Sequence, residues 1–209
     1  MKALLKEFMD LKLDSKLTNN EDILVYNEIS LQLELGLYLR QNGYAVRFER
    51  NIGDYVNEVH GFVKKEIDIV VYKKGDDEFK AEKIAIELKF PRNGQYPEQM
   101  FSFIKDIKFM EQVKKVNGFA KTYVLTLVDD RNFYEEGNRG KKDIYSYFRG
   151  NLEIPNGKDI EKPTGKKEDV KIIKLNNSYK VKWEEPSASW LDKNNTNIDQ
   201  YRYYIIECK

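Results

Sequence analysis

The stretch IAIELKF, residues 84–90, decides the reading of the fold. Ile84, Ala85, Ile86, Leu88 and Phe90 give it the composition of a buried β-strand. Glu87 and Lys89 interrupt it, two residues apart. Side chains alternate along a strand, so Glu87 and Lys89 point to one face and Leu88 to the other. A carboxylate and an ammonium on a core strand need partners, because unpaired charge removed from water is costly.

Working outward, KKEIDIVVY (64–72) reads as the preceding strand and YAVRFER (44–50) as the one before it. Residues 22–41 carry a strong helical pattern, ended by Asn42 and Gly43. Thr18-Asn19-Asn20 offers a break with N-cap chemistry, and residues 2–13 a short amphipathic helix. Downstream, PRNGQYP (91–97) is a loop, 98–116 a second long helix closed near Gly118, and TYVLTLVDD (122–130) a further strand. The order is helix, three strands, helix, strand. Its last strand–helix–strand connection favours a parallel pair in an α/β sheet.

The remainder is less regular. DIYSYFRG predicts a short helix, residues 156–169 a polar connection, and YRYYIIECK a final strand. KIIKL and YKVKW flank Asn176-Asn177 and predict a hairpin. No repeat or linker divides the chain. We therefore expect one domain over 1–209, with a core over about 22–130 and a β-rich elaboration over about 131–209.

With 209 residues, 41% hydrophobic and 34% charged, the chain supports a packed core under a charged surface. That composition excludes the disordered and membrane classes. No run approaches the roughly 18 apolar residues of a membrane span, and charges at Lys2, Lys6, Glu7, Asp10 and Lys12 exclude a signal peptide. Cys208 is the only cysteine, so no disulfide closes within the chain, and a cytoplasmic location is expected. One histidine and one cysteine exclude a zinc site of the usual Cys/His type. Phosphate-binding glycine loops, the zinc-protease H-E-x-x-H and the G-x-S-x-G elbow are absent.

In the strand before IAIELKF, Glu66 and Asp68 share a face. If the two strands are neighbours, Asp68 and Glu87 converge. Two desolvated carboxylates repel, and a divalent cation resolves the repulsion. Two carboxylates, water, phosphate and the Leu88 carbonyl describe a Mg²⁺ site. Lys89 beside it is placed to stabilise charge growing on a phosphoryl group, or to position or deprotonate an attacking water. Arg92, Asn93, Gln95 and Tyr96 emerge next to this site with groups suited to backbone phosphates, and Lys105 and Lys108 extend a basic rim. Glu66 reads as a rim carboxylate and His60 as a surface residue. Arg139, Lys141, Lys142, Lys166 and Lys167 read as solvated loop charge. Tyr201, Tyr203 and Tyr204 suit either strand packing or stacking on bases.

Asp68, then Glu87-Leu88-Lys89, set on helix, three strands, helix, strand, resembles the PD-(D/E)XK nuclease superfamily over about residues 22–130. Ile67 stands where that motif has proline. The resemblance implies an α/β fold with a restriction-endonuclease-like core, a mixed central sheet flanked by helices. It implies a Mg²⁺-dependent nuclease, with Mn²⁺ as a substitute, acting on nucleic acid and more specifically on DNA, in restriction, defence or repair. It allows a homodimer, and it allows a catalytically inactive module that binds nucleic acid or a protein partner. The family tends to place a glutamate on its first helix, facing the metal. At about 100° per residue, Gln32, Leu35 and Leu39 fall within about 40° of Glu28. Glu34 falls with Asn27, Ser30 and Gln41 on the polar face, so Glu28 is the candidate and Glu34 is expected in solvent. Gln99 is a candidate by the same resemblance, because some members carry a functional glutamine on that helix.

Overall fold

The helical and alternating patterns resolve into α1 (Lys2–Asp10), α2 (Glu28–Gln41), β1 (Tyr44–Asn51), β2 (Glu66–Lys73), β3 (Lys83–Lys89), α3 (Tyr96–Lys114) and β4 (Phe119–Val128). Then follow α4 (Tyr145–Phe148), β5 (Asp159–Glu161), β6 (Ile172–Lys174) and β7 (Arg202–Cys208). They are seen in a computed structural model that describes residues 1–10, 25–136, 144–150, 152–163, 171–186 and 200–209. Five strands form one sheet in the order β1-β2-β3-β4-β7. Only β3 and β4 run parallel, joined by α3 as the crossover; the other neighbours are antiparallel. The chain is thus α/β, with a mixed central sheet flanked by helices. Among the described residues, no helix is long and apolar enough to cross a membrane.

The alternation within each strand builds two cores. Ile69, Val71, Ile86, Leu88 and Leu125 face α2, which buries Leu31, Leu35 and Leu39 against them. Val70, Ala85 and Val124 face α3, which buries Phe103, Ile107 and Met110. Because both sheet faces are covered, β3 and β4 are buried over most of their length. Gly36 marks where α2 comes closest to β1: a Cβ there would lie 2.3 Å from the Phe48 ring.

The first long helix starts later than the pattern predicts. Asn27, not a residue near 22, is its N-cap. The Asn27 side chain accepts from the Ser30 N–H at 2.8 Å, and the Ser30 hydroxyl accepts from the Asn27 N–H at 3.0 Å. This reciprocal pair outcompetes continued helix and places Glu28 in the first turn. The break expected at Thr18-Asn19-Asn20 lies outside the described residues.

The elaboration is integral to the sheet. β7 pairs along β4 from Val128↔Arg202 to Thr122↔Cys208, and it buries Tyr203 and Tyr204 on its opposite faces. Tyr201 is buried as well, so these tyrosines are packing residues. The predicted Asn176-Asn177 hairpin is not formed. β6 instead pairs with β5, inside the stretch expected to be an unstructured polar connection. Tyr179 bridges to Ile154, and Glu184 to Tyr203. The reason is Glu111 on α3. Its buried carboxylate accepts the Asn176 and Asn177 backbone N–H groups at 2.8 Å each, so those donors are not spent on a hairpin turn.

Candidate active site

The site begins where β2 and β3 stop pairing. Their ladder ends at Ile69↔Ile86, and Asp68 and Glu87 are next in line on the α3 face. Beyond that pair the Leu88 N–H donates to Asp68 Oδ2 at 2.7 Å, so a side chain takes the place of the partner strand. β2 bends at the same point. Ile69 packs under α2, while Ile67 packs with the α3 core. Across the β1–β2 ladder, pairing passes from Phe48↔Ile69 to Arg50↔Ile67 and skips Glu49. Glu49 has φ +50, a left-handed conformation that costs a non-glycine residue about 1 kcal/mol. Gln32 of α2 braces the bend: its Nε2 donates to the Asp68 carbonyl at 2.8 Å and to Glu49 Oε1 at 2.6 Å. Backbone strain of this kind is held in place only by its surroundings, and it concentrates at functional sites.

Around Asp68 five further charged groups gather. Glu87 is fully buried, and its Oε1 accepts from the Lys64 ammonium. Lys64 also donates to Oδ1 of Asp106, on α3, at 3.1 Å. Asp106 is buried too. Among the described residues, Glu87 Oε2 and Asp106 Oδ2 have no hydrogen-bond partner. Lys89 donates to Glu28 Oε1 at 3.1 Å, and Glu28 Oε2 accepts the Phe90 N–H at 3.0 Å. The first turn of α2 is thereby fixed at the end of β3.

These groups perturb one another. Burial pushes the Asp68 carboxyl up to about 7; the Lys64 ammonium and the Leu88 N–H oppose the rise, and Asp106 adds to it. Burial likewise raises Asp106, against the pull of Lys64 and Lys89. For Lys89, burial acts downward, but the Asp106, Glu28 and Asp68 carboxylates outweigh it and hold the ammonium above its ordinary value. Burial lowers Lys105, helped by the Lys64 charge. Perturbed groups facing one another in a dry site are the physical mark of a functional centre.

The donor set suits a hard cation. The candidate ligands are carboxylate oxygens and the Leu88 carbonyl, and among the described residues one buried oxygen each of Glu87 and Asp106 has no hydrogen-bond partner. Among the described residues, no group of three or more His, Cys, Asp and Glu is arranged to hold a metal ion. Mg²⁺ takes one or two carboxylates and keeps water for the rest, and Asp68 and Glu87 are the two carboxylates that the strand split offers.

Of the residues selected from sequence, Glu28, Asp68, Glu87 and Lys89 meet here, and Leu88 contributes its N–H. The loop residues lie beside the cluster without touching it. Asn93 Oδ1 accepts from Gln99 Nε2 at 3.0 Å and from the Gln95 N–H at 3.4 Å, and Arg92 pairs with Asp129. Lys105 is half-buried on the Asp106 turn of α3. Glu34, expected in solvent, is half-buried, and burial raises its carboxyl. Its side of α2 is less open than a two-sided helical wheel implies. Glu66 and His60 are exposed as expected. Arg139, Lys141, Lys142, Lys166 and Lys167 lie outside the described residues.

Lys64 and Asp106 escaped the sequence reading. Asp106 had a signal: with Phe103, Ile107 and Met110 it completes a helical stripe that is otherwise apolar. Lys64 had a weaker one: counted in the predicted strand over 64–72 it shares the face of Glu66 and Asp68, although β2 itself begins only at Glu66. No family model, curated protein or solved structure matches this chain.

Proposed function

We propose that the protein is a Mg²⁺-dependent nuclease of the PD-(D/E)XK type, hydrolysing phosphodiester bonds in nucleic acid and acting on DNA in particular. One observation carries the reading. Asp68, Glu87 and Lys89, chosen from sequence on chemical grounds, and Glu28, chosen through the family resemblance, lie together at the split between β2 and β3. The element order and the mixed sheet agree with a restriction-endonuclease-like core.

In this mechanism Asp68 and Glu87 hold the metal, which when bound acts as a Lewis acid on the phosphoryl oxygen and lowers the pKa of water. The Asp106, Glu28 and Asp68 carboxylates hold the Lys89 ammonium above its ordinary value, and as an ammonium it would stabilise developing negative charge. Glu28 orients Lys89 through the 3.1 Å contact and locks its own carboxylate on the Phe90 N–H. Gln32 keeps Asp68 aimed into the split by fixing its carbonyl. Arg92, Asn93, Gln95, Gln99 and Lys105 border the site where backbone phosphates would lie.

The test is incubation of the protein with plasmid and single-stranded DNA in magnesium, manganese or EDTA, beside Lys89→Ala and Asp68→Ala. Cleavage by the wild type that needs metal and vanishes in both variants supports the reading. Binding without cleavage would mark a non-catalytic nucleic-acid module instead.

A further inference from the structure

Lys64 stands in an unusual place. Its ammonium bridges Glu87, a metal-holding carboxylate in the reading above, and Asp106 of α3. The carboxylates of Glu28, Asp68, Glu87 and Asp106, set against the ammonium groups of Lys64 and Lys89, leave a formal charge of −2 in the cluster. One divalent cation would neutralise that charge. Without it, Lys64 is the cation that Glu87 and Asp106 share. Its stem is not free-floating: the ammonium lies 5.8 Å from the centre of the Phe109 ring. Lys105, on the same turn of α3 as Asp106, is the other nearby cation, and it makes no ion pair with these carboxylates.

We propose that Lys64 is an internal counter-ion that competes with the divalent metal for Glu87 and, on yielding, is retained by Asp106. Lys64 and Asp106 are then positioning residues that set metal affinity. The exchange is geometrically simple. Lys64 already touches both carboxylates, so it releases Glu87 without losing its 3.1 Å contact to Asp106. The competition gives the site a threshold: metal must exceed the concentration at which it outbids a tethered charge that never diffuses away. Like charges a few ångströms apart interact by several kcal/mol at an effective dielectric near 20, so the opposition is large enough to measure.

This inference rests on the nuclease reading only for the identity of the metal ligands, and its test needs no nucleic acid. Titrate Mg²⁺ or Mn²⁺ alone into the full chain by calorimetry, for wild type, Lys64→Gln, Lys64→Arg, Asp106→Asn and Lys105→Gln. Lys64→Gln removes the competitor while leaving a donor for the carboxylates, and its dissociation constant should fall about tenfold or more. Lys64→Arg keeps the charge and should bind no tighter than wild type, which holds the test open should the neutral variant fold poorly. Asp106→Asn leaves Lys64 on Glu87 alone and should weaken binding. Lys105→Gln removes a charge that reaches the cluster without an ion pair to it and should tighten binding by clearly less than Lys64→Gln. An unchanged or weaker constant in Lys64→Gln overturns the proposal. So does equal tightening by Lys105→Gln, which would mean a general field rather than an exchanged seat, and so does absence of metal binding in every variant. Tightening in Lys64→Gln with no cleavage of any DNA would sink the nuclease reading and leave this one standing. Cleavage with no change in affinity would do the reverse.

Discussion

Asp68 offers the sharpest quantitative handle on the site. Its carboxyl titrates at about 7 in the folded protein against an ordinary value of 3.8. An acid whose folded pKa is raised stabilises the fold most at low pH. That contribution is complete below the unfolded value and is lost as pH climbs through the folded one. The window here runs from about pH 4 to about pH 7. Each pKa unit is worth about 1.4 kcal/mol, so ionised Asp68 costs the metal-free fold about 4 kcal/mol at pH 8. Asp68→Asn keeps the shape and an oxygen for the Leu88 N–H, and it cannot ionise. The stability gap between variant and wild type should therefore widen by about 4 kcal/mol from pH 4 to pH 8 in EDTA. Urea unfolding at a series of pH values measures it directly. Saturating magnesium should shrink the gap at pH 8, because the ion stabilises the carboxylate only in the wild type. A gap that stays constant with pH, or closes as pH rises, would refute the placement of Asp68 in a dry, anionic site.

Other consequences are equally concrete. Lys89→Ala should lower DNA cleavage by about 10²–10⁴-fold in a gel assay at saturating metal, while circular dichroism shows an intact fold. Gln32→Ala removes the donor shared by Glu49 Oε1 and the Asp68 carbonyl. It should cost about 1–3 kcal/mol in urea unfolding and reduce cleavage as well, since Asp68 loses its brace.

Much of this was legible from residue order, and the failures are instructive. Alternation in IAIELKF and EIDIVVY was enough to put Asp68, Glu87 and Lys89 on one face, because a two-residue period is local. Glu28, the wheel's candidate, reaches Lys89 and the Phe90 N–H at the end of β3, but its side chain is partly exposed rather than set on a buried stripe. The first long helix was drawn about six residues too long, since apolar periodicity continues past Asn27 and only the side-chain capping pair ends it. The Asn176-Asn177 hairpin failed for a non-local reason: a carboxylate 65 residues upstream, Glu111, claims the Asn176 backbone donor. Lys64 was passed over although alternation through 64–72 puts it on the face of Asp68; its pairing with Glu87 and with Asp106 of α3 is set by tertiary packing.

The same helix supplies an internal comparison between two buried carboxylates. Glu111 and Asp106 are five residues apart on α3, and both are buried. Glu111 is saturated: it accepts from the Asn176 N–H, the Asn177 N–H, the Asn177 side-chain amide at 3.1 Å and the Tyr179 hydroxyl at 3.0 Å. It holds the elaboration to the core, and its charge is neutralised by donors rather than held for another partner. Asp106 has one contact, from Lys64, and an oxygen with none. If the first serves folding and the second serves the site, neutralising each should act with opposite effect. Glu111→Gln turns one acceptor into a donor facing the Asn176 N–H and should destabilise by about 2–3 kcal/mol, with metal affinity unchanged. Asp106→Asn relieves repulsion in an anionic cluster and should leave metal-free stability within about 1 kcal/mol of wild type, or above it, while weakening metal binding. Urea unfolding in EDTA paired with calorimetric titration of magnesium separates the two. Equal destabilisation by both substitutions would mean that Asp106 is simply another structural clamp.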